Sequence, residues 1–413
     1  MIFVEKILLS FLIFLFPAQL AYHFWPKFAY VFGLRIDYLS PKIYLTDIFI
    51  FLLLPFIVLR IRKFMRRFMK KPRNIFKYGI AAIFLGAYIA LNIFTSANRP
   101  AAFIGWLTLG KMSVLGFYIF LYKLKGMKKR YVKLLCYSST LFALIGISQF
   151  VLQRTTQSLL YYLGERSFTA LTPGIALINL GGNLYLRAYS TFSHPNSFAG
   201  FLVLALILIY GLARKKPLKP FNYVFLLIIG TATLLSFSTG AFIGLTVVLV
   251  FYFVSKKLPH FSNVMLKIVF YASLLLSLFI VFVPEEVTEL KYFQKEEVRD
   301  RVFLIKASAR LFAKQPVLGI GLNNFVSQTD KHQPIHNLFL LILSELGIVG
   351  LACVFLISGI IIKKVSGSFF SLAIVFILVT GFFDHYWFTL QQNQLLFSFL
   401  LGLVFKKDIS AKL

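Results

Sequence analysis

Arg187, Arg301 and His336 are the residues of this chain whose types and positions could carry out charge chemistry together. Arg187 lies just ahead of Ser193-His194-Pro195-Asn196, where Pro195 suits the first turn of a helix and His194 or Ser193 its cap. An arginine beside a helix N-terminus makes a place for a phosphate, because free amides and the helix dipole favour negative charge there. Taken alone, His194 reads as a capping or interfacial residue. His336, at the start of an apolar run, can take a proton from a hydroxyl, since imidazoles titrate near neutrality. Taken alone it reads as an interfacial anchor, just as a lone outside arginine reads as a side chain reaching lipid phosphates. As a set, two arginines and a histidine at helix ends describe a site where a doubly phosphorylated, lipid-linked substrate meets a hydroxyl acceptor. Asn196 and Asn337, next to the two histidines, join His194 as candidate substrate-binding residues. No metal set is evident: there is no HExxH, no paired Cys and no carboxylate cluster with ligand spacing. A glycine-rich phosphate loop and a serine nucleophile elbow are missing as well.

These residues must be held by elements built for lipid. The chain has 413 residues, of which 59% are hydrophobic and 14% charged, against about 25% charged in an ordinary soluble domain. Its apolar residues fall in runs of roughly 20, the length needed to cross the hydrocarbon of a bilayer. Such runs lie near 6–25, 42–61, 77–95, 101–122, 133–153, 195–213, 221–237, 240–254, 264–283, 335–362, 368–388 and 391–405. The expected fold is therefore an all-α polytopic membrane protein, a single integral membrane domain of about 12 transmembrane helices. The fourth run is the weakest, because Lys111 lies within it, and Phe237-Ser238-Thr239-Gly240 predicts a tight hairpin between the seventh and eighth. The first run, preceded by Glu5 and followed by Tyr22, Phe24 and Trp25, has no clean cleavage site and reads as a retained span. Cys136 and Cys353, both within apolar runs, read as small buried hydrophobes.

The net charge of +30 would suggest nucleic acid in a soluble protein. Here Lys and Arg concentrate in short loops, nine between Arg60 and Lys77 and six between Lys123 and Lys133, with no aromatic interleaving. Such loops orient a membrane protein with both termini in the cytoplasm. Two long loops then fall outside, 154–194 and 284–335. The second contains an amphipathic helix at about 296–314, with Val298, Val302, Ile305, Ala309 and Phe312 forming its apolar stripe. Arg301 falls beside that stripe, Arg299 and Arg310 away from it, and Glu296, Glu297 and Asp300 read as solvated partners of Arg301. Glu345, nine residues beyond His336 and on the opposite side of its helix, reads as a packing or network residue.

Over residues 180–355 the chain resembles the O-antigen ligase and O-antigen polymerase family of bacterial envelope enzymes. Three stretches carry the likeness: Arg187 with Phe192 to Ala199; Arg301 with Ala307 to Phe312 and Gln315 to Phe325; and His336-Asn337 with Glu345 to Gly350. Ser238-Thr239-Gly240 resembles a family hairpin in which arginine usually stands at the position of Thr239. The resemblance implies a membrane glycosyltransferase of the cytoplasmic (inner) membrane, working on its outer face in lipopolysaccharide or other surface polysaccharide assembly. It would move a glycan from an undecaprenyl-pyrophosphate carrier to the hydroxyl of a glycan or glycolipid acceptor, with no metal or nucleotide sugar. By position, Arg187 and Arg301 would hold the pyrophosphate and His336 would orient or deprotonate the acceptor.

Two other readings compete. A lipid-linked oligosaccharide flippase or polysaccharide transporter would also have about a dozen spans, but its site belongs at the midplane on broken, repeat-related helices. Here the midplane is poor in ionisable groups. A structural partner of an export complex has no positive support in the sequence.

Overall fold

A computed structural model of the chain describes residues 2–70, 72–122, 128–213, 220–283 and 296–406. Most of it is helix: α1 (Ile2–Phe14), α2 (Leu45–Phe68), α3 (Pro72–Thr95), α4 (Arg99–Leu121), α5 (Lys128–Leu152), α6 (Pro195–Ala213), α7 (Pro220–Leu235), α8 (Thr239–Lys257), α9 (Ser262–Phe279), α10 (Glu296–Lys314), α11 (Leu338–Val365), α12 (Phe370–Phe383), α13 (Tyr386–Thr389) and α14 (Gln391–Val404). Seven segments of the described chain are helical, long and apolar enough to cross a membrane, and two shorter apolar helices accompany them. A helix satisfies its own backbone hydrogen bonds, which is the condition for lying in hydrocarbon. The most enclosed is α6, surrounded by α5, α7, α8, α12 and α14.

Two of the expected runs change shape. The first ends as helix at Phe14, and the chain beyond it forms β1 (Ala21–His23), a small hairpin of β2 (Tyr30–Val31) and β3 (Leu34–Arg35), and β4 (Lys42–Tyr44), which pairs antiparallel with β1 ahead of α2. Aromatic residues after Ala21 prolong the apolar run without prolonging the helix. The eleventh stops at Phe383, because Asp384 is extended (φ −161°) and its amide closes the helix on the Thr380 carbonyl.

Two charges that face other helices are paired. Glu5 accepts from the Arg60 guanidinium at 2.5 and 2.7 Å and from the Tyr118 hydroxyl at 2.9 Å. Lys111 donates to Asp47 and to Gln391, each at 2.8 Å, so α4 keeps its lysine without interruption. Pairing of this kind is what allows ionised groups inside a bundle.

The long segments between the helices are held by their own contacts. In the 154–194 loop, β5 (Leu177–Leu180) and β6 (Asn183–Leu186) form a hairpin, and buried Gln149 holds both Glu165 and the Ser190 backbone. Beyond α10, residues 316–325 strap onto α11. Ile320 and Gly321 donate to the carbonyls of Ser344 and Glu345, and the Glu345 carboxylate accepts from the amides of Asn323 (2.9 Å) and Phe325 (3.0 Å). Glu345 is thus the network residue expected of it. At the crossing, Gly347 interrupts α11 with φ +65°, and a Cβ on Gly319 would stand 2.4 Å from the Glu345 carbonyl. Gly319→Ala is expected to lower stability by about 1–3 kcal/mol, the range for backbone incompatibility and strain, read as an earlier thermal midpoint of the purified protein. An unchanged midpoint would mean that the strap does not hold α10 against α11.

Candidate functional site

The N-terminal ends of α6 and α11, the C-terminal end of α12 and the turn between α7 and α8 meet at one place. Each end is shaped by local sequence. Pro195 opens α6 as expected, and His194 caps it, its Nδ1 accepting from the Asn196 amide at 3.1 Å. That bond occupies an amide which the sequence left open to phosphate, so this amide is not free to meet an anion. Burial pushes the His194 imidazole down to about 3, against the opposing pull of Asp384, and Arg187, His336 and Arg301 lower it further. A neutral imidazole is the form that can accept from an amide. Its surroundings also place Arg187, Arg301, His336 and Asp384 within electrostatic reach of one ring.

Arg187 follows β6 and is gripped on several sides. Its Nε donates to the Ser236 carbonyl at 2.7 Å, and one Nη donates to Asn196 Oδ1 at 2.8 Å and the Phe237 carbonyl at 3.2 Å. Those carbonyls belong to the C-terminal end of α7, where the helix dipole favours a cation. The hairpin before Thr239 therefore acts through its backbone. Phe237 has a positive φ of 47° and Thr239 itself is exposed.

Asn196 passes the connection on, its Nδ2 donating to Asp384 Oδ2 at 3.1 Å. The other oxygen, Oδ1, accepts from the His385 amide at 2.8 Å, and it stands 3.5 Å from His336 Nδ1 and 3.7 Å from His385 Nε2. At 3.5 Å the His336 contact is too long for a formed hydrogen bond, and Nδ1 is buried with none, but it is close enough for the carboxylate to hold a charged ring. Arg187, Asn196, Asp384 and His336 thus form a continuous polar chain from guanidinium to imidazole. Asp384 and His385 went unnoticed in the sequence because they sit inside an apolar run without a motif of their own. Their only signal was a carboxylate and an imidazole side by side near the outer end of a span.

His336, Asp384 and His385 also offer three ligand atoms within 4.8 Å of one another. No ligand spacing along the chain marks such a group, since His336 stands 48 residues before Asp384. A divalent cation there would compete for the oxygen that faces both imidazoles.

The remaining candidates divide. Asn337 is 2% exposed and wholly engaged: Oδ1 caps α11 at the Leu340 amide (3.0 Å), and Nδ2 donates to Ser277 (2.8 Å) and to the Phe382 carbonyl (3.1 Å). With both ends of its amide held, it positions His336 and has no group left for substrate. Arg301 is exposed on α10. The buried row of that helix is Leu304, Ala307, Ser308 and Leu311, and the stripe read from the sequence is its half-buried flank. The helix packs against α11 rather than lying on lipid, and its apolar face is wide enough that periodicity alone did not choose the inner row. Asp300 pairs with Lys331 at 2.7 Å instead of Arg301, while the side chains of Glu296 and Glu297 lie outside the described residues. Arg310 lies over the Phe303 ring at 5.9 Å.

Residues 223–355 match a family model described as O-antigen ligase. The stretch is less than half of the chain, runs from α7 into α11, includes Arg301 and His336, and supports the O-antigen ligase and polymerase family. No curated protein and no solved structure matches the chain.

Proposed function

We propose, from a chain that carries an O-antigen ligase match over 223–355, that this protein is a membrane glycosyltransferase moving a glycan from an undecaprenyl-pyrophosphate carrier to an acceptor hydroxyl. The observation that carries the reading is the polar chain from Arg187 through Asn196 and Asp384 to His336, with Arg301 nearby. In this reading the chain has about twelve spans in the cytoplasmic membrane, with both ends inside and the site on the outer face. The buried ion pairs and the exposed apolar helix faces support a bilayer as its solvent.

In the reaction, the acceptor oxygen attacks the anomeric carbon of the carrier-bound sugar. The bond from that carbon to the pyrophosphate oxygen breaks, and its electron pair leaves on the lipid pyrophosphate. With Nδ1 of His336 facing Asp384, its Nε2 is the atom that receives the hydroxyl proton, and the carboxylate stabilises the imidazolium that results. Arg187 and Arg301 balance the charge growing on the leaving group. Fixed guanidiniums serve this better than groups that must reorient.

The direct test is purified protein in lipid nanodiscs with a carrier-linked oligosaccharide. Transfer by wild type, and its loss in His336→Ala at equal membrane abundance, is the expected result; normal product from His336→Ala would refute the assignment. We further expect EDTA to leave the rate unchanged, because guanidiniums and an imidazole perform the tasks a cation would. A rate abolished by EDTA and restored by a divalent ion would instead make His336, Asp384 and His385 metal ligands.

A further inference from the structure

A cavity of about 670 Å³ lies beside this site, between α2, α4 and α14. One wall is hydrocarbon. Ile48, Phe51, Leu54 and Leu107 line it and are also exposed on the outer faces of their helices, so the groove opens sideways where lipid lies. Its floor is polar, made by Lys111 with Asp47 and Gln391. Its outer rim holds Lys42, which has neither an ion pair nor a side-chain hydrogen bond among the described residues; burial pushes its amine down to about 8, against the opposing pull of Asp37, and an anion beside it would favour the charged form.

The groove also reaches the reacting cluster. Thr389 on its rim is 2.6 Å from His385 Nδ1, and the Tyr38 ring meets the His385 ring edge-on at 5.9 Å. His385 in turn lies 5.5 Å from His336, ring to ring. Neither Arg187 nor Arg301 lines the groove. Whatever occupies it approaches His336 from the His385 side, across the cluster from Arg187.

We infer that this groove is the berth of the second substrate, and that the acceptor is a glycan carried on a single-chain lipid phosphate, its chain between α2 and α4 and its phosphate at Lys42. The inference rests on the transfer reaction proposed above and narrows it towards chain extension on a lipid carrier. Charge selects the head group: an unpaired lysine at the mouth of an apolar slot suits an anion next to a hydrocarbon chain. Shape selects the tail, because a single slot that opens sideways into lipid admits one chain, the rest of which can lie in the bilayer.

Two measurements test it. Native mass spectrometry of the purified protein with decaprenyl phosphate, which carries no glycan, is expected to retain one lipid on wild type and at least tenfold less on Lys42→Glu and on the groove-filling Ile104→Trp. Failure of wild type to retain it, equal retention by both variants, or retention of phosphatidylglycerol in its place would overturn the assignment, and none of these outcomes depends on activity. In the transfer assay, the same variants are expected to raise the acceptor KM at least tenfold and leave the donor KM within twofold. A rise in the donor KM instead would make the groove the donor's berth and refute the inference while leaving the transfer reaction standing. Absence of transfer by wild type, with lipid retention intact, would refute the proposed reaction and with it the acceptor role.

Discussion

Asp384→Asn is expected to lower kcat on the order of 10³-fold, about 4 kcal/mol, with little change in either KM. The carboxylate contacts no substrate in the proposed reaction. It faces His336 Nδ1 at 3.5 Å, fixes which ring nitrogen meets the acceptor, and stabilises the ring once it carries the proton. Asparagine is nearly the same size and can still meet Asn196, so α12 should end as before and abundance should hold. What it lacks is the negative charge. The readout that separates this role from a structural one is the split between the constants: kcat per folded molecule should fall with both KM values unchanged in Asp384→Asn, whereas a loss of folded protein would leave the rate per folded molecule as it was. A variant with normal kcat would remove Asp384 from the mechanism.

The second large effect belongs to the arginines, and the two should differ. Arg301→Ala is expected to cost on the order of 10²-fold in kcat, the range for losing one preorganised charge stabiliser. Arg301→Lys should recover much of it, because Arg301 is exposed and contributes mainly charge. Arg187→Ala should cost at least as much, and Arg187→Lys should recover little. A lysine cannot hold the Ser236 and Phe237 carbonyls and Asn196 simultaneously, as the planar guanidinium does. Both sets are measured as transfer rates at saturating acceptor in protein of matched abundance. Equal rescue by lysine at both positions would mean that the grip on the α7–α8 turn has no part in catalysis.

Much of this was legible in the chain. Runs of apolar residues gave nearly every helix to within a few residues, because a backbone in lipid has few ways to satisfy its hydrogen bonds. Pro195 opening α6, a tight turn before α8, which the structure places at Ser236-Phe237-Ser238, and the network role of Glu345 also followed from local rules. Where local rules misled, a distant partner intervened. Lys111 looked like a flaw in α4 until Asp47 and Gln391 neutralised it. The inner row of α10 was settled by what α11 offered it, and Asn337 was committed by Ser277 and Phe382.

By itself, the sequence determined that this protein is a set of apolar helices with arginines and histidines near the segments that join them, since hydropathy and helix-end chemistry are properties of neighbours along the chain. Only the tertiary structure decided which of those ends meet. It brought Asp384 from the end of α12 between Asn196 and His336, 188 residues from the former by sequence. A carboxylate in an apolar run carries no mark of its partner, because the force that selects one, charge and hydrogen bonding in a medium with little water, acts across space and not along the chain.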